Sequence, residues 1–270
     1  MLQQNLHQLI EQLNLPEQES NQLLDFVMNK IKRDSWGSYY ETINALFNTS
    51  TQADMQRNSV AVQLIFWAFD LVDDVVDGDV VQLPLSQAQQ IVLSHIVMLQ
   101  AIRLLDTHIQ DHVMRIVIEA GYAEFSDITF THDVNHLLTE DDYLSLVEQK
   151  SGKLMQLIGI IIDQSNLPLQ RFMSYIGIAA QIKNDIDSIL SFNKSDFDEK
   201  KMYLPTIKYI YFTGDTGLQH FSREKIIQSG ALEYCRLLYN YYIEEAYTIL
   251  FDAFPEKTEG IRKLKNEFNF

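Results

Sequence analysis

The sequence predicts an all-α protein, and three observations lead to this expectation. Apolar residues recur at intervals of three and four along nearly the whole chain, which is the period of amphipathic helices. Only 10 glycines and 5 prolines interrupt the 270 residues, too few for the many turns that short strands need. No linker or low-complexity run divides the chain. We therefore expect one helical-bundle domain over residues 1–270, with a central cavity between long helices.

The predicted helices follow one another with short breaks. Their approximate bounds are 2–14, 17–33, 38–48, 55–77, 85–106, 108–132, 140–165, 168–192, 201–213, 221–253 and 256–268. Start signals precede several of them, namely Pro16, Ser86 after Pro84, Thr139, Pro168 and Ser222. Breaks are expected at Gly78, at Gly214 with Gly217, and at Pro255.

The composition narrows the classes of partner. A formal net charge of −16 argues against nucleic acid, because phosphate binding needs clustered Lys and Arg. The single cysteine, Cys235, allows no internal disulfide, and no apolar run approaches the roughly 20 residues of a transmembrane segment. The first residues lack the pattern of a signal peptide. We expect a cytoplasmic protein, and a small phosphorylated ligand stays compatible with it because a metal ion can invert the charge of an acidic cleft.

Five aspartates interrupt the otherwise apolar segment FWAFDLVDDVVDGD at residues 66–79. Asp70, Asp73, Asp74 and Asp77 follow the i, i+3, i+4, i+7 pattern and share an arc of about 100° on a helix. The rest of the circumference is apolar, which is typical of a buried helix. No Lys or Arg lies three or four residues away, so the carboxylates repel one another. The face is either solvated or a magnesium site, since carboxylate oxygens are the ligands Mg²⁺ prefers.

A second oxygen-rich stripe follows in AAQIKNDIDSIL, where Gln181, Asn184, Asp185 and Ser188 have the same spacing and apolar surroundings. Two such helices facing one another across a cavity would share divalent cations. Anion-binding candidates lie in VEQKSGKLMQL at residues 147–157 and in EKKMYLP at residues 199–205. Surface lysines are the alternative interpretation of both segments.

At these residues the chain resembles the trans-isoprenyl diphosphate synthases, also called polyprenyl synthetases. The family's DDxxD motif appears as DDVVD at residues 73–77, and its second motif is similar to QIKNDIDS at residues 181–188. The family's Lys-Thr/Ser pair matches Lys150-Ser151, and its late Lys-x-Thr-Leu-Pro signature resembles KMYLP at residues 201–205. The order and spacing hold from about residue 55 to residue 210.

The resemblance implies the all-α isoprenoid synthase fold and a site for Mg²⁺ and an allylic diphosphate. The implied metal ligands are Asp73, Asp74, Asp77, Asn184, Asp185 and Ser188. The implied substrate-binding residues are Lys150, Ser151, Gln181 and Lys201. Cations and lysines would stabilise the departing pyrophosphate, and an apolar cavity would protect the carbocation from water.

Departures from the family pattern bear on the acceptor. Chain-elongating members carry a Gly-Gly-Lys-Arg stretch near the N-terminus and an Arg pair after DDxxD, with which they bind isopentenyl diphosphate. Here the corresponding segments read SWGSYYETI and GDVVQLPLSQ, without Arg. The second motif resembles the Asn-Asp-x-x-Ser start of the terpene cyclase metal motif, but Phe192 stands in place of its Glu. These departures argue against chain elongation.

The ComQ-like pheromone prenyltransferases of Gram-positive bacteria share the missing isopentenyl site. They attach a geranyl or farnesyl group to a tryptophan of a small quorum-sensing peptide. We therefore expect a prenyltransferase with a small peptide as acceptor, in which Asp70, Glu124 and Asp127 are the candidate catalytic carboxylates. The alternatives are a short-chain polyprenyl diphosphate synthase, a terpene cyclase, and a non-catalytic partner subunit.

Three further expectations concern pocket length, zinc and assembly. Phe66 and Phe69 precede the first motif and would shorten the pocket to a geranyl or farnesyl donor; core packing is the alternative. His108 with His112, and His132 with His136, have a spacing that suits zinc, but no further ligand is evident. The resemblance also suggests a homodimer.

Overall fold

The computed structural model describes residues 2–33, 35–47, 50–76, 83–129, 138–191, 203–217 and 222–267. In these ranges the secondary structure is helical, and no strand occurs among the described residues, which confirms the all-α expectation. The helices are α1 Leu2–Gln12, α2 Glu17–Arg33, α3 Trp36–Phe47, α4 Gln52–Val76, α5 Gln87–Leu104, α6 Thr107–Thr129, α7 Glu140–Val147, α8 Lys153–Ile162, α9 Leu167–Ser191, α10 Leu204–Thr213, α11 Arg223–Gln228, α12 Ala231–Ala253 and α13 Thr258–Glu267. A π-helical turn, Glu148–Gly152, joins α7 to α8, and a 3₁₀ turn, Pro255–Lys257, precedes α13.

The predicted helix starts have a local chemical basis. Ser86 and Thr139 each form a capping box, with Gln89 and Asp142 respectively. Ser222 accepts a hydrogen bond from the backbone of Lys225 at the start of α11. Each cap satisfies backbone N–H groups that a helix start leaves unpaired, so the start signals in the sequence are confirmed at these three positions.

Two segments that were predicted as single helices are interrupted, so the prediction is wrong for each of them in this respect. The segment predicted as one helix over 140–165 contains the π-turn. The segment predicted as one helix over 221–253 breaks at Gly230, whose φ of 82° lies in the left-handed region that glycine adopts without steric cost. Gly214, with φ of 68°, ends α10 as expected.

The described chain forms two compact units. The first contains residues 1–114 with 161–164, and the second contains residues 115–160 with 165–270. The expectation of a single domain with a central cavity stays a prediction. Within the described ranges, no helix is long and apolar enough to cross a membrane.

In the first unit, α4 packs against α3 and α5, and its central part is buried, as its apolar circumference predicts. The α3–α4 crossing is close, because a Cβ on Gly37 would lie 2.8 Å from Ser59 Oγ and 2.9 Å from Ser59 O. At this crossing the Gly37 backbone N–H donates to the buried Gln63 side chain at 3.1 Å. The contact fixes α3 against the helix that carries the first aspartate motif.

In the second unit, α9 packs against α12 and against the π-turn. A buried cluster that includes Ile182, Ile186, Leu204 and Cys235 joins α9 to α10 and α12. Burial raises the pKa of the Cys235 thiol to about 12, so this thiol stays protonated at neutral pH.

A partly buried ion pair also connects helices of the second unit. Lys208 of α10 donates to Glu140 Oε2 at 2.5 Å, and Tyr234 of α12 donates to Glu140 Oε1 at 2.6 Å. The Lys208 ammonium lies 4.0 Å from the centre of the Tyr234 ring. These contacts hold the start of α7 against α10 and α12.

Candidate active site

The first aspartate motif lies at the end of α4, where a lysine from α2 reaches it. Lys30 Nζ lies 3.3 Å from Asp70 Oδ2 and 3.2 Å from Asp74 Oδ2. Burial disfavours the charged lysine, but the two carboxylates outweigh it and raise the pKa of Lys30. The acidic face is therefore relieved by a neighbouring helix. The sequence does not identify Lys30 as a partner, because the spacing of charges along one helix reports only neighbours on that same helix.

The donor atoms on α4 suit a hard divalent cation in their chemistry, since they are carboxylate oxygens. Asp73 and Asp74 are both half-buried. Asp77, the third aspartate of the motif, lies outside the described residues. Among the residues that the structure describes, no three His, Cys, Asp or Glu side chains form a metal-binding group. A complete magnesium site at the DDxxD motif therefore stays a prediction.

The oxygen-bearing side chains of the second motif, on α9, differ in their exposure. Asn184 is exposed, whereas Asp185 is only 2% exposed. Asp185 Oδ2 accepts hydrogen bonds from Tyr143 Oη at 2.7 Å and from the Leu204 backbone N–H at 2.9 Å. Asp185 Oδ1 accepts one from Gln181 Nε2 at 3.0 Å. A cation at Asp185 would have to compete with these three donors, so its metal-binding role stays a prediction.

Asp185 has a structural function that the motif does not reveal. Leu204 begins α10, whose preceding residue Tyr203 makes no side-chain cap. The Asp185 carboxylate accepts the Leu204 N–H and therefore caps α10 from another helix. Burial raises the pKa of Asp185 to about 6, although the hydrogen bonds from Leu204, Tyr143 and Gln181 oppose this rise. Burial and the nearby Asp185 carboxylate also raise the pKa of Tyr143 well above its usual value.

The remaining predicted ligands of the second motif lie on the same helix. Ser188 is half-buried, one turn after Asn184. Asp73 belongs to the first compact unit and Asn184 to the second. The expectation that the two motifs confront one another therefore stays a prediction.

The structure brings together three residues that the sequence analysis singled out separately. Lys150 Nζ lies 2.8 Å from Glu124 Oε2 and 3.0 Å from Asp127 Oδ2 on α6. Lys153, on the following turn, pairs instead with Glu119 at 2.9 Å. The predicted diphosphate-binding lysine thus lies between the two predicted catalytic carboxylates of α6. The structure thus places one ammonium group beside two carboxylates, and their roles in anion binding and proton transfer stay predictions.

The π-turn supplies a second contact at this site. Ser151 Oγ donates to Gln181 Oε1 at 2.9 Å, and Gln181 in turn donates to Asp185. Ser151, Gln181, Asp185 and Tyr143 therefore form one continuous hydrogen-bonded chain. Single π-turns inside helices occur frequently at functional sites.

The other candidate residues differ in their burial and in their contacts. Phe66 is 6% exposed and stacks on Trp36, with ring centres 4.5 Å apart, which supports its alternative interpretation as core packing. Phe69 is half-buried, and the role of both rings in substrate length stays a prediction. His108 is exposed, and His112 contacts Gln164 Oε1 through Nδ1 at 2.8 Å. Outside the described residues lie Lys201, His132 and His136.

Comparison with solved structures shows the fold. No protein-family model matches the chain. Geranylgeranyl pyrophosphate synthase from Lactobacillus brevis superimposes with a TM-score of 0.76 at 16% identity, over 98% of this chain and 96% of that chain. Heptaprenyl diphosphate synthase from Staphylococcus aureus gives a TM-score of 0.73 at 17% identity, over 93% and 90%. Polyprenyl synthase from Caulobacter crescentus, solved with calcium and isoprenyl diphosphate, gives 0.66 at 20% identity, over 83% and 82%.

These likenesses define the class: the chain has the all-α fold of the polyprenyl diphosphate synthases. One curated relative is more specific. The tryptophan prenyltransferase ComQ of Bacillus subtilis (strain 168) is 26% identical, over 77% of this chain and 79% of ComQ. The expected resemblance to the trans-isoprenyl diphosphate synthases, and to ComQ in particular, is confirmed. The predicted class of enzyme, a prenyltransferase, is confirmed as well.

Proposed function

We propose that this protein ionises geranyl or farnesyl diphosphate with the help of Mg²⁺ and transfers the prenyl group to a tryptophan of a small pheromone-precursor peptide in the cytoplasm. The similarity to ComQ over most of both chains is the observation that carries this proposal. The fold neighbour solved with calcium and isoprenyl diphosphate supports a divalent cation and a diphosphate as ligands. The family resemblance supports a homodimer as the working assembly.

The metal would be held by carboxylate and amide oxygens of the two motifs. Asp73, Asp74 and Asp77 are the proposed ligands on the first motif, and Asn184 and Ser188 those on the second. A bound divalent cation would stabilise the negative charge that develops on the pyrophosphate as the allylic C–O bond breaks. Asp185 is better suited to hold α10 in place, because protein donors already satisfy both of its oxygens.

Lys150 is the proposed diphosphate ligand within the second unit. Its side chain is 20% exposed and is held by two carboxylates, Glu124 at 12% exposure and Asp127 at 44%. A diphosphate oxygen that reaches the Lys150 ammonium would replace Asp127 rather than Glu124. Asp127 is the more exposed of the two carboxylates, so breaking its ion pair costs less free energy than leaving the more buried Glu124 unpaired. Asp127 would then become available as a proton acceptor.

The carboxylates of α6 complete the proposed transfer. The allylic C–O bond breaks and pyrophosphate leaves. A carbon of the acceptor indole then forms a bond to the allylic carbon, and the indole ring becomes cationic. A carboxylate of α6 takes the proton that the cationic ring system then loses, which requires only a weak base.

Two observations favour a non-isopentenyl acceptor. The segment that replaces the Gly-Gly-Lys-Arg stretch is packed rather than cationic: Trp36 stacks on Phe66, and the Gly37 N–H binds Gln63. Lys30, the basic residue found beside the first motif, already pairs with Asp70 and Asp74. Among the side chains that the structure describes near the first motif, these contacts leave little basic character for a second diphosphate.

The test is a reaction with purified protein, Mg²⁺ and either geranyl or farnesyl diphosphate. Reactions contain isopentenyl diphosphate, a synthetic peptide with a single tryptophan, or neither acceptor. We expect the peptide to gain the mass of one prenyl group, and a Trp→Ala peptide to gain none. A longer prenyl diphosphate or a hydrocarbon product would instead identify an elongating synthase or a cyclase. Absence of turnover together with absence of pyrophosphate binding would indicate a non-catalytic subunit.

A further inference from the structure

The π-turn lies against α9 with backbone touching backbone. A Cβ placed on Gly177 would lie 2.3 Å from the carbonyl oxygen of Ser151 and 3.0 Å from the Cα of Gly152. Neither atom belongs to a side chain that can rotate away. On the π-turn side of the same crossing, a Cβ on Gly152 would lie 3.0 Å from Ser174 Oγ of α9. A side chain at Gly177 would therefore meet fixed backbone at this crossing, whereas one at Gly152 would meet a serine hydroxyl.

The crossing is next to the hydrogen-bonded chain of the candidate site. Gln181 lies one helical turn after Gly177, and it accepts the Ser151 hydroxyl at 2.9 Å. The same Gln181 side chain donates to Asp185 Oδ1 at 3.0 Å. The distance between the turn and α9 therefore decides whether Ser151 reaches Gln181, and through it Asp185.

The turn also sets the position of Lys150. The Lys153 N–H donates to the Glu148 carbonyl, five residues back, which widens the turn. In this widened turn, two consecutive side chains contact two different helices. Lys150 pairs with Glu124 on α6, and Ser151 donates a hydrogen bond to Gln181 on α9. A displacement of the turn would move both groups together.

We propose that Gly177 is a positioning residue: because it has no side chain, the π-turn lies in the place where Lys150 and Ser151 can together receive the diphosphate of the substrate. The ligand class rests on the proposed function above. The role of Gly177 in placing the turn rests on the backbone contact alone.

Gly177→Ala is the direct test, and the chain offers two matched controls. To reach ordinary van der Waals contact, the added methyl must move the Ser151 carbonyl by about 1 Å. Gly159→Ala also creates a backbone clash between α8 and α9, 2.9 Å from the Cα of Gln170, but away from Ser151. Gly121→Ala adds the same methyl where nothing lies within 4 Å.

We expect Gly177→Ala to raise KM for the allylic diphosphate, and to weaken binding of inorganic pyrophosphate measured by calorimetry, by about tenfold or more. Gly159→Ala should lower the melting temperature by a comparable amount and leave both values near those of the wild type. Equal effects of the two substitutions, or an unchanged KM in Gly177→Ala, would overturn the proposal.

A rescue experiment covers the case in which Gly177→Ala does not fold. Gly152→Ala brings a methyl against Ser174 Oγ, and Ser174→Ala removes that oxygen. The single variant should raise KM and the double variant should restore it. A double variant as impaired as Gly152→Ala would count against the proposal.

Amide hydrogen exchange of the ligand-free protein separates this proposal from the proposed function. Gly177→Ala should accelerate exchange over residues 148–157, and Gly121→Ala should not. If the wild type turns over no allylic diphosphate but this difference persists, the proposed function fails and the positioning role stands. If the exchange of Gly177→Ala matches that of Gly121→Ala, the positioning role fails.

Discussion

The ammonium group of Lys30 donates a hydrogen bond to Oδ2 of Asp74 across 3.2 Å, and the two residues are 44 positions apart in the chain. The lysine side chain is 16% exposed and the aspartate side chain 19%. Because both groups are largely withdrawn from water, removal of one leaves the other charge poorly solvated. The charge balance of the first aspartate motif thus depends on α2.

Replacement of Lys30 by Met should destabilise the metal-free protein by about 1–3 kcal/mol, because Asp70 and Asp74 lose the ammonium group that pairs with both. Added Mg²⁺ should restore more stability to this variant than to the wild type, since a divalent cation then neutralises the same carboxylates. The measurement is thermal unfolding with and without Mg²⁺. Lys32→Met, on the exposed side of the same helix, is the control. An equal response of both variants to Mg²⁺ would contradict the prediction.

Replacement of Tyr143 by Phe should destabilise the protein by about 1–3 kcal/mol at neutral pH, because the buried Asp185 carboxylate loses a donor. Tyr211→Phe removes a hydroxyl from a side chain that is 76% exposed, and it should change stability little. Urea unfolding of both variants measures the difference. A loss in Tyr211→Phe as large as that in Tyr143→Phe would argue that the Asp185 contact is not the cause.

Asp185 should make the stability of the metal-free protein depend on pH. Its folded-state pKa, about 6, lies above the value of 3.8 expected for an ordinary aspartate. The folded state therefore binds the proton more tightly than the unfolded state does. This contribution is fully present below about pH 4 and is lost as the pH rises through about 6.

The difference in unfolding free energy between the wild type and Asp185→Asn isolates this effect. We expect the wild type to lose stability relative to the variant between about pH 4 and pH 7. Asp111→Asn, at an exposed position of α6, is the control for the loss of one negative charge. A wild-type curve that stays parallel to that of Asp185→Asn would show that burial does not control the Asp185 carboxylate.

Replacement of Lys150 by Met should raise KM for the allylic diphosphate by about tenfold or more, because the proposed anion ligand is lost. Lys153→Met removes a neighbouring lysine that pairs with Glu119 instead, and should change KM little. Steady-state kinetics of both variants measure the contrast. If Lys153→Met raises KM as much as Lys150→Met does, a general electrostatic contribution is the better explanation.

Phe66 and Phe69 should differ in what they control. Phe66→Ala should cost about 3–5 kcal/mol, because it removes a buried ring that stacks on Trp36. Phe69→Ala should cost less, since Phe69 is half-buried, and should extend the range of prenyl donors toward longer chains. Thermal unfolding and competition between donors of different length provide the two measurements. An unchanged donor preference in Phe69→Ala would refute its role in the pocket.

Much of the fold was predictable because helix periodicity and capping are local properties. Ser86, Thr139 and Ser222 lie beside the backbone groups that they cap, so a few residues of sequence contain the whole interaction. The helix that carries the first motif was also predictable, since its apolar circumference requires burial.

The arrangement of the site was less predictable because it depends on contacts between distant segments. Lys30 has no sequence feature that distinguishes it from Lys32, the other lysine of α2, and only helix packing brings it to Asp74. The inward orientation of Asp185 depends likewise on Tyr143 and the start of α10. The glycines of KSG and of IGIAA were the available signal for the π-turn crossing, although neither glycine alone identifies its partner.

The buried thiol of Cys235 has a practical consequence. It is 0% exposed and its pKa is about 12, so maleimides and nitroxide reagents should leave it unmodified in the folded protein. Cysteines introduced at the exposed positions Val76 and Lys183 would then be the only labelled sites. A pair of spin labels there would report the separation of the two motif-bearing helices in solution, before and after pyrophosphate and Mg²⁺ are added, without any need to remove the native cysteine.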